Sequence, residues 1–322
     1  MEVDYKKLFK NCLCVIEEKD GYVVPVRLSK KQLAAFNKVS SKNIINGNFT
    51  SGTCIEFFSS SFSFSFDVIT GNYNQFYANF DIFLNGNYVN SVIFNNEHEK
   101  KFHFVFSTEV ENKKKFTVYF PHGTDARIKN FEIKDIEYIE TKKKLLLSFG
   151  DSITQGYVSK FPRFTYPVML SMKLNMDLLN QGMDGYTFES ETIDENLKIN
   201  PSIITVAFGT NDWELCDSMD FIKNKINLFF NKLSRVYPNV LVFVITPIWR
   251  QDYKVVRKSG TLANVTSAIV DSANKYNNFN IIDGMKLVPH DKNLFGPDVL
   301  HPTEEGFKIY TENLFNQIKQ FV

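Results

Sequence analysis

No stretch of the sequence approaches the ~18 consecutive apolar residues that a membrane-spanning helix needs, which excludes a helical membrane protein. The opening segment MEVDYKKLFKNCLCVIEEKDG likewise lacks an apolar core of signal-peptide length, so a soluble, cytoplasmic protein is the expectation. Cysteine is scarce. Cys12, Cys14, Cys54 and Cys216 show no paired CxxC spacing, which argues against a zinc site or a disulfide framework and for free thiols, Cys216 included. Charge of one sign is missing too: the formal net charge is +1, and no basic cluster is large enough to attract a polyanion, so no nucleic-acid partner is expected. The short runs Lys113–Lys115 and Lys142–Lys144 flank apolar segments and read as solvated edges or linker.

What is present describes a folded chain. Hydrophobic residues make up 43% and charged residues 23%, far from the polar composition of disordered proteins, and 322 residues suffice for two domains. From about Gly21 to Ile139 the pattern is short runs of Phe, Val, Ile and Tyr broken by Gly, Asn and Ser. In Phe62-Ser63-Phe64-Ser65-Phe66, apolar and polar residues alternate with period two, which predicts a strand whose phenylalanines enter a core. Asn85-Gly86 sits between two such runs and supplies the positive φ angles of a two-residue hairpin turn. Seven or eight strands are expected, a β-sandwich or jelly roll over residues 1–141.

After Lys144 the grammar changes. LLLSF, MDLLN, IITVAF, VLVFVIT and NIID are continuous apolar runs separated by helical stretches, as in parallel strands covered on both faces. Residues 142–322 therefore read as a three-layer α/β/α domain whose sites lie at the strands' carboxyl ends.

Chemistry-bearing residues fall at those ends. In LLLSFGDSITQGY, Ser152 follows the first strand, where it either projects a nucleophilic hydroxyl or merely caps a helix. In PDVLHPTEEGF, Asp298 stands three residues before His301, a spacing that sets a carboxylate beside an imidazole. Gly182 in LLNQGMDGY permits close backbone approach or a tight turn; Asn211 in VAFGTNDW donates an amide N–H or caps a helix. His98, His103, His122 and His290 read as packing or surface residues. Asp151 and Asp212 read as carboxylates that shape their loops through hydrogen bonds.

Together the segments GDSITQG, NQGMDG, GTND and DVLHP resemble, in order, the four blocks of the SGNH, or GDSL, hydrolases over roughly residues 145–322. That resemblance implies a flavodoxin-like α/β/α fold, Ser152 as nucleophile, Asp298 and His301 completing a triad, and an oxyanion hole from Ser152, Gly182 and Asn211. A jelly roll ahead of such a domain is similar to the two-domain carbohydrate esterases that deacetylate plant polysaccharides, and PHGTDARIKNFEI resembles the last strands of their accessory module.

The expected enzyme is a serine ester hydrolase that forms an acyl-enzyme, needs no metal or organic cofactor, and acts on a small ester or acylated carbohydrate, as an O-acetyl esterase foremost. Trp213, Trp249 and Arg250 are candidate walls of its pocket, with burial in the core as the competing reading. A short-chain lipase or thioesterase on the same triad and a catalytically inactive carbohydrate-binding protein are the alternatives. No membrane partner is expected, and nothing in the pattern sets an oligomeric state.

Overall fold

The computed structural model describes residues 2–39, 42–73, 77–95, 100–142 and 144–322. Up to Tyr138 the chain forms two antiparallel sheets face to face. One orders Phe9–Lys10, Cys54–Ser59, Lys114–Tyr119, Tyr77–Leu84 and Asn87–Asn95, with Glu137–Tyr138 also on Cys54–Ser59; the other orders Cys14–Glu17, Val23–Val26, Thr124–Ile133, Ser63–Tyr73 and Lys101–Ser107. Strands beyond the expected seven or eight are two- and four-residue pieces such as Phe9–Lys10 and Val23–Val26, too short to show a period.

Between the sheets lies a phenylalanine-rich core that includes Phe57, Phe64, Phe66, Phe80, Phe104 and Phe116. Phe62 is the exception to the alternation: the strand begins at Ser63, and Phe62 stays 55% exposed. Asn85 (φ 51°) and Gly86 (φ 83°) make the hairpin turn that their sequence demands. Lys114 corrects the reading of its run as solvated. It is buried, its ammonium on the carbonyls of Ser60 and Asn112 and near the rings of Phe62 and Phe116. Lys143 and His98 lie outside the described residues.

From Leu145 onward five parallel strands form one sheet, ordered Asp177–Gly182, Leu145–Gly150, Ile203–Ala207, Leu241–Ile245, Phe279–Ile282. Side chains alternate between two cores. Leu147, Leu179, Ile204 and Val242 pack with helices Met219–Val236 and Leu262–Ala273; Leu146, Leu178, Ile203 and Phe243 pack with Tyr166–Leu174 and Glu304–Ile318. Leu28 and Phe36, from the β half's sequence, join the first of these cores. Arg27, buried beside them, donates to the carbonyls of Asn46, Phe49, Asn180 and Gly182. Register places Gly182 and Ala207 level with Gly150, so three loops leave the sheet side by side.

Candidate active site

Ser152 begins the helical turn Ser152–Gln155 directly after the strand Leu145–Gly150, second in the sheet. Asp151 caps that turn, accepting the Ile153 N–H at 3.0 Å, and so aims the Ser152 hydroxyl out of the sheet's end. The hydroxyl meets His301 Nε2 at 2.6 Å, and His301 Nδ1–H donates to Asp298 Oδ2 at 2.6 Å. Asp298 Oδ1 also accepts the backbone N–H groups of Leu300 and His301, at 3.0 and 3.1 Å. Val299, between them, has φ 47°, a strained angle for a β-branched residue, and the Gln251 N–H bond to its carbonyl holds it there.

The electrostatics suit a base with an ionised partner. Burial alone would raise the Asp298 carboxyl, but the imidazole and two N–H groups outweigh it and hold its pKa at about 2. Asp151 and Asp212 behave oppositely: enclosure pushes each up to about 7. Asp212 receives the Phe188 N–H, so both carboxylates shape loops. The Cys216 thiol, raised to about 11 chiefly by burial, is a poor nucleophile at neutral pH.

The glycine chosen from sequence has its N–H spent elsewhere. Gly182 N–H donates to Asn180 Oδ1 at 2.8 Å, and a Cβ there would stand 2.5 Å from Gln155 N. Its role is close approach of the strand to the Ser152 turn. The exposed glycine of that loop is Gly185 at φ 72°, missed by the sequence reading although NQGMDG contains it. Asn211 is half-buried; one of its two amide hydrogens goes to the Tyr186 carbonyl at 2.9 Å, which leaves the other to donate.

The three candidate wall residues are all buried. Trp213 is wholly buried, its indole N–H on the Gly260 carbonyl and its ring within about 5 Å of the guanidinium groups of Arg250 and Arg257. Trp249 stacks on His290 and meets the Phe295 ring at a tilt. Arg250, 5% exposed, binds Thr210 and Glu214 of the short helix Thr210–Leu215 together with Asp252, and so fixes the helix that carries Asn211. The remaining described histidines are likewise engaged: His103 with Asp67, His122 with Ser159 and His290 with the Met285 carbonyl. Tyr157, unnoticed in sequence, lies against the His301 ring at 4.7 Å between centroids.

Among the described residues there is no metal-ligating cluster and no helix long and apolar enough to cross a membrane. Residues 148–309 match the GDSL-like lipase/acylhydrolase family. No curated protein matches the sequence. Among solved structures, a salicylyl-acyltransferase, SsfX3, from a tetracycline biosynthetic pathway superposes with a TM-score of 0.84 at 15% identity, covering 97% of this chain and 94% of that one. A family two carbohydrate esterase from Clostridium thermocellum, in complex with cellohexaose, gives 0.67 at 14% identity over 84% and 92%. An acetyl xylan esterase from the rumen bacterium Butyrivibrio proteoclasticus gives 0.63 at 15% over 84% and 90%. At these identities the likeness is one of fold, and it takes in the β-sandwich as well as the α/β domain.

Proposed function

Because the chain belongs to the GDSL-like lipase/acylhydrolase family, and so is a carboxylic ester hydrolase, we propose that Ser152 is its nucleophile, His301 its general base and Asp298 the orienting carboxylate. The observation that carries this reading is the unbroken hydrogen-bonded line from the Ser152 hydroxyl through both nitrogens of His301 to Asp298. His301 takes the hydroxyl proton as Oγ bonds to the ester carbonyl carbon. The carbonyl oxygen becomes an oxyanion, held by the N–H of Ser152, the Asn211 amide and, in place of Gly182, the N–H of Gly185 once it turns from the Asp184 carboxylate it meets in the free protein. Return of the proton to the leaving alcohol gives an acyl-enzyme, which water activated by His301 hydrolyses.

We assign the substrate class as small acylated carbohydrates, with O-acetyl removal as the reaction. The half-exposed groups around the triad, Tyr157, Asp184 and Asn211, are polar and suit sugar hydroxyls better than a long acyl chain. The fold-level likeness to two carbohydrate esterases supports the same choice. All four cysteines are free, which suits a reducing compartment, and a cytoplasmic location belongs to the proposal.

The test compares wild type with Ser152→Ala on p-nitrophenyl esters of increasing chain length and on acetylated xylo-oligosaccharides, with a free sugar acceptor added to separate hydrolysis from acyl transfer. Acetate release that depends on Ser152 is expected. Undiminished turnover by Ser152→Ala would remove the nucleophile, and preference for long acyl chains would overturn the carbohydrate assignment.

A further inference from the structure

The segment Gly156–Thr165, which follows the Ser152 turn, is fastened to the β-sandwich at three successive points. His122 donates from Nε2 to the Ser159 carbonyl at 2.9 Å. Asn79 donates to the Lys160 carbonyl at 2.6 Å. Asp81, fully buried, accepts the Arg163 backbone N–H at 2.8 Å and its guanidinium at 2.5 Å, while Ser91 donates to the same carboxylate at 2.6 Å. The Arg163 guanidinium is covered by the rings of Tyr88, Phe161 and Phe164, each 4.2–4.3 Å away. A largely buried charge pair, its carboxylate held by Arg163 and Ser91 and its guanidinium by Asp81 and Ser91, has little freedom to shift.

The other end of this segment is tied to the nucleophile's own turn, the N–H groups of Gly156 and Tyr157 both donating to the Ser152 carbonyl at 2.9 Å. Tyr157 lies on the His301 imidazole. Val158, next in the chain, has φ 75°, an angle a β-branched residue takes only where its surroundings impose it. Its side chain fills the space over Gly296, where an added Cβ would meet Val158 Cγ1 at 2.8 Å, two residues before Asp298. Val158 thus sits between two fixed points: Tyr157, whose N–H donates to the Ser152 carbonyl at 2.9 Å, and Ser159, whose carbonyl is held by His122.

We propose that Tyr157 is the positioning residue for His301, and that the β-sandwich, through Asp81, Asn79 and His122, holds Tyr157 there, so that both domains form one catalytic unit. This rests on the assignment of His301 as base. Tyr157 blocks rotation of the ring out of line with Ser152 without touching the reacting atoms.

The experiment is a mutant cycle on the full chain, read as kcat and KM for p-nitrophenyl acetate with thermal midpoints measured alongside. Tyr157→Ala should lower kcat by about tenfold to a hundredfold at unchanged KM and little-changed midpoint, the scale of loss that follows small misplacements of a catalytic group. Tyr157→Phe, which keeps the ring, should restore kcat to within about threefold of wild type. Asp81→Asn should lower kcat in the wild-type background and have no further effect in Tyr157→Ala, because the two act through the same contact. Should Asp81→Asn fail to fold, Asn79→Ala, which leaves the ion pair intact, takes its place in the cycle. A kcat for Tyr157→Ala within twofold of wild type, or additive losses in the double variant, overturns the proposal. Ser152→Ala is the control for the underlying assignment: retained activity there indicts the nucleophile and leaves the Tyr157 result to be read separately.

Discussion

The Asp298 carboxylate grips His301 at two points, Oδ2 taking the imidazole Nδ1–H at 2.6 Å and Oδ1 the backbone N–H of the same residue at 3.1 Å. Ring tautomer and chain direction are therefore set together. Asp298→Asn keeps an acceptor for the backbone but turns an NH₂ toward Nδ1, which favours the tautomer with its proton on Nε2, facing Ser152. The expected result is a fall in kcat of up to about 10⁴-fold, with a modest fall in the thermal midpoint, modest because the Asp298 side chain is 39% exposed. Since the wild-type carboxyl sits at about 2, its stabilising effect is present above the ordinary aspartate range and is lost only as pH falls through that value. Steady-state kinetics and a thermal melt on one preparation of the variant check both halves.

The meeting of Ser152, His301 and Asp298 was legible in the sequence because its parts are local signals. Ser152 ends an apolar strand run, and Asp298 and His301 fall within one turn. The two fold types were legible because period-two alternation around Phe64 and Phe66 differs from the continuous runs around Leu147 and Val244. Gly182 was misassigned for a physical reason: a glycine reads the same whether the fold needs its N–H or its missing Cβ, and only the Asn180 bond tells them apart. Trp213 and Trp249 near strand ends fit a pocket wall and a core equally well until burial is known. Arg27 and the clamp on Arg163 left no trace, since contacts such as Arg27 to Gly182, 155 residues on, and Arg163 to Asp81, 82 residues back, impose no periodicity.

Gly182 and Gly185 are predicted to fail differently when changed to alanine. In Gly182→Ala the new methyl meets the backbone of Thr154 and Gln155 at 2.7 and 2.5 Å, so the Ser152 turn must move. Loss of about 10² or more in kcat is expected, with reduced stability. At Gly185 nothing lies within 4 Å of the added Cβ, but φ 72° strains any other residue. Gly185→Ala should fold normally and lose activity through a displaced donor. Circular dichroism melts beside kcat separate the two cases; equal destabilisation of both variants contradicts the distinction.

Asn211 offers a side-chain donor that can be removed without touching the backbone. Asn211→Ala should reduce kcat about 10²–10³-fold while KM for p-nitrophenyl acetate changes little, since the bond strengthens only as the oxyanion forms. Asn211→Asp should be worse than alanine, because a carboxylate there repels the developing charge. An alanine variant no slower than about threefold would show that the oxyanion is held without residue 211.

Asp151 makes the stability of the protein depend on pH with a definite sign. Its carboxyl is enclosed and titrates at about 7, raised chiefly by burial from an unfolded value of 3.8. The folded state thus prefers the protonated form: the stabilising contribution is complete below the unfolded value and is lost as pH rises through about 7. Asparagine keeps an oxygen to cap the turn at Ile153 but cannot ionise. Asp151→Asn should therefore match wild type in urea unfolding near pH 3.5 and exceed it at pH 8, by at most roughly 4 kcal/mol for a shift of this size. The difference between variant and wild type should open across the interval from pH 4 to 7 and stay constant above it. Parallel stability profiles would mean that the Asp151 carboxylate is already ionised in the folded protein throughout that range, with its charge satisfied by the Ile153 N–H and by nearby His301.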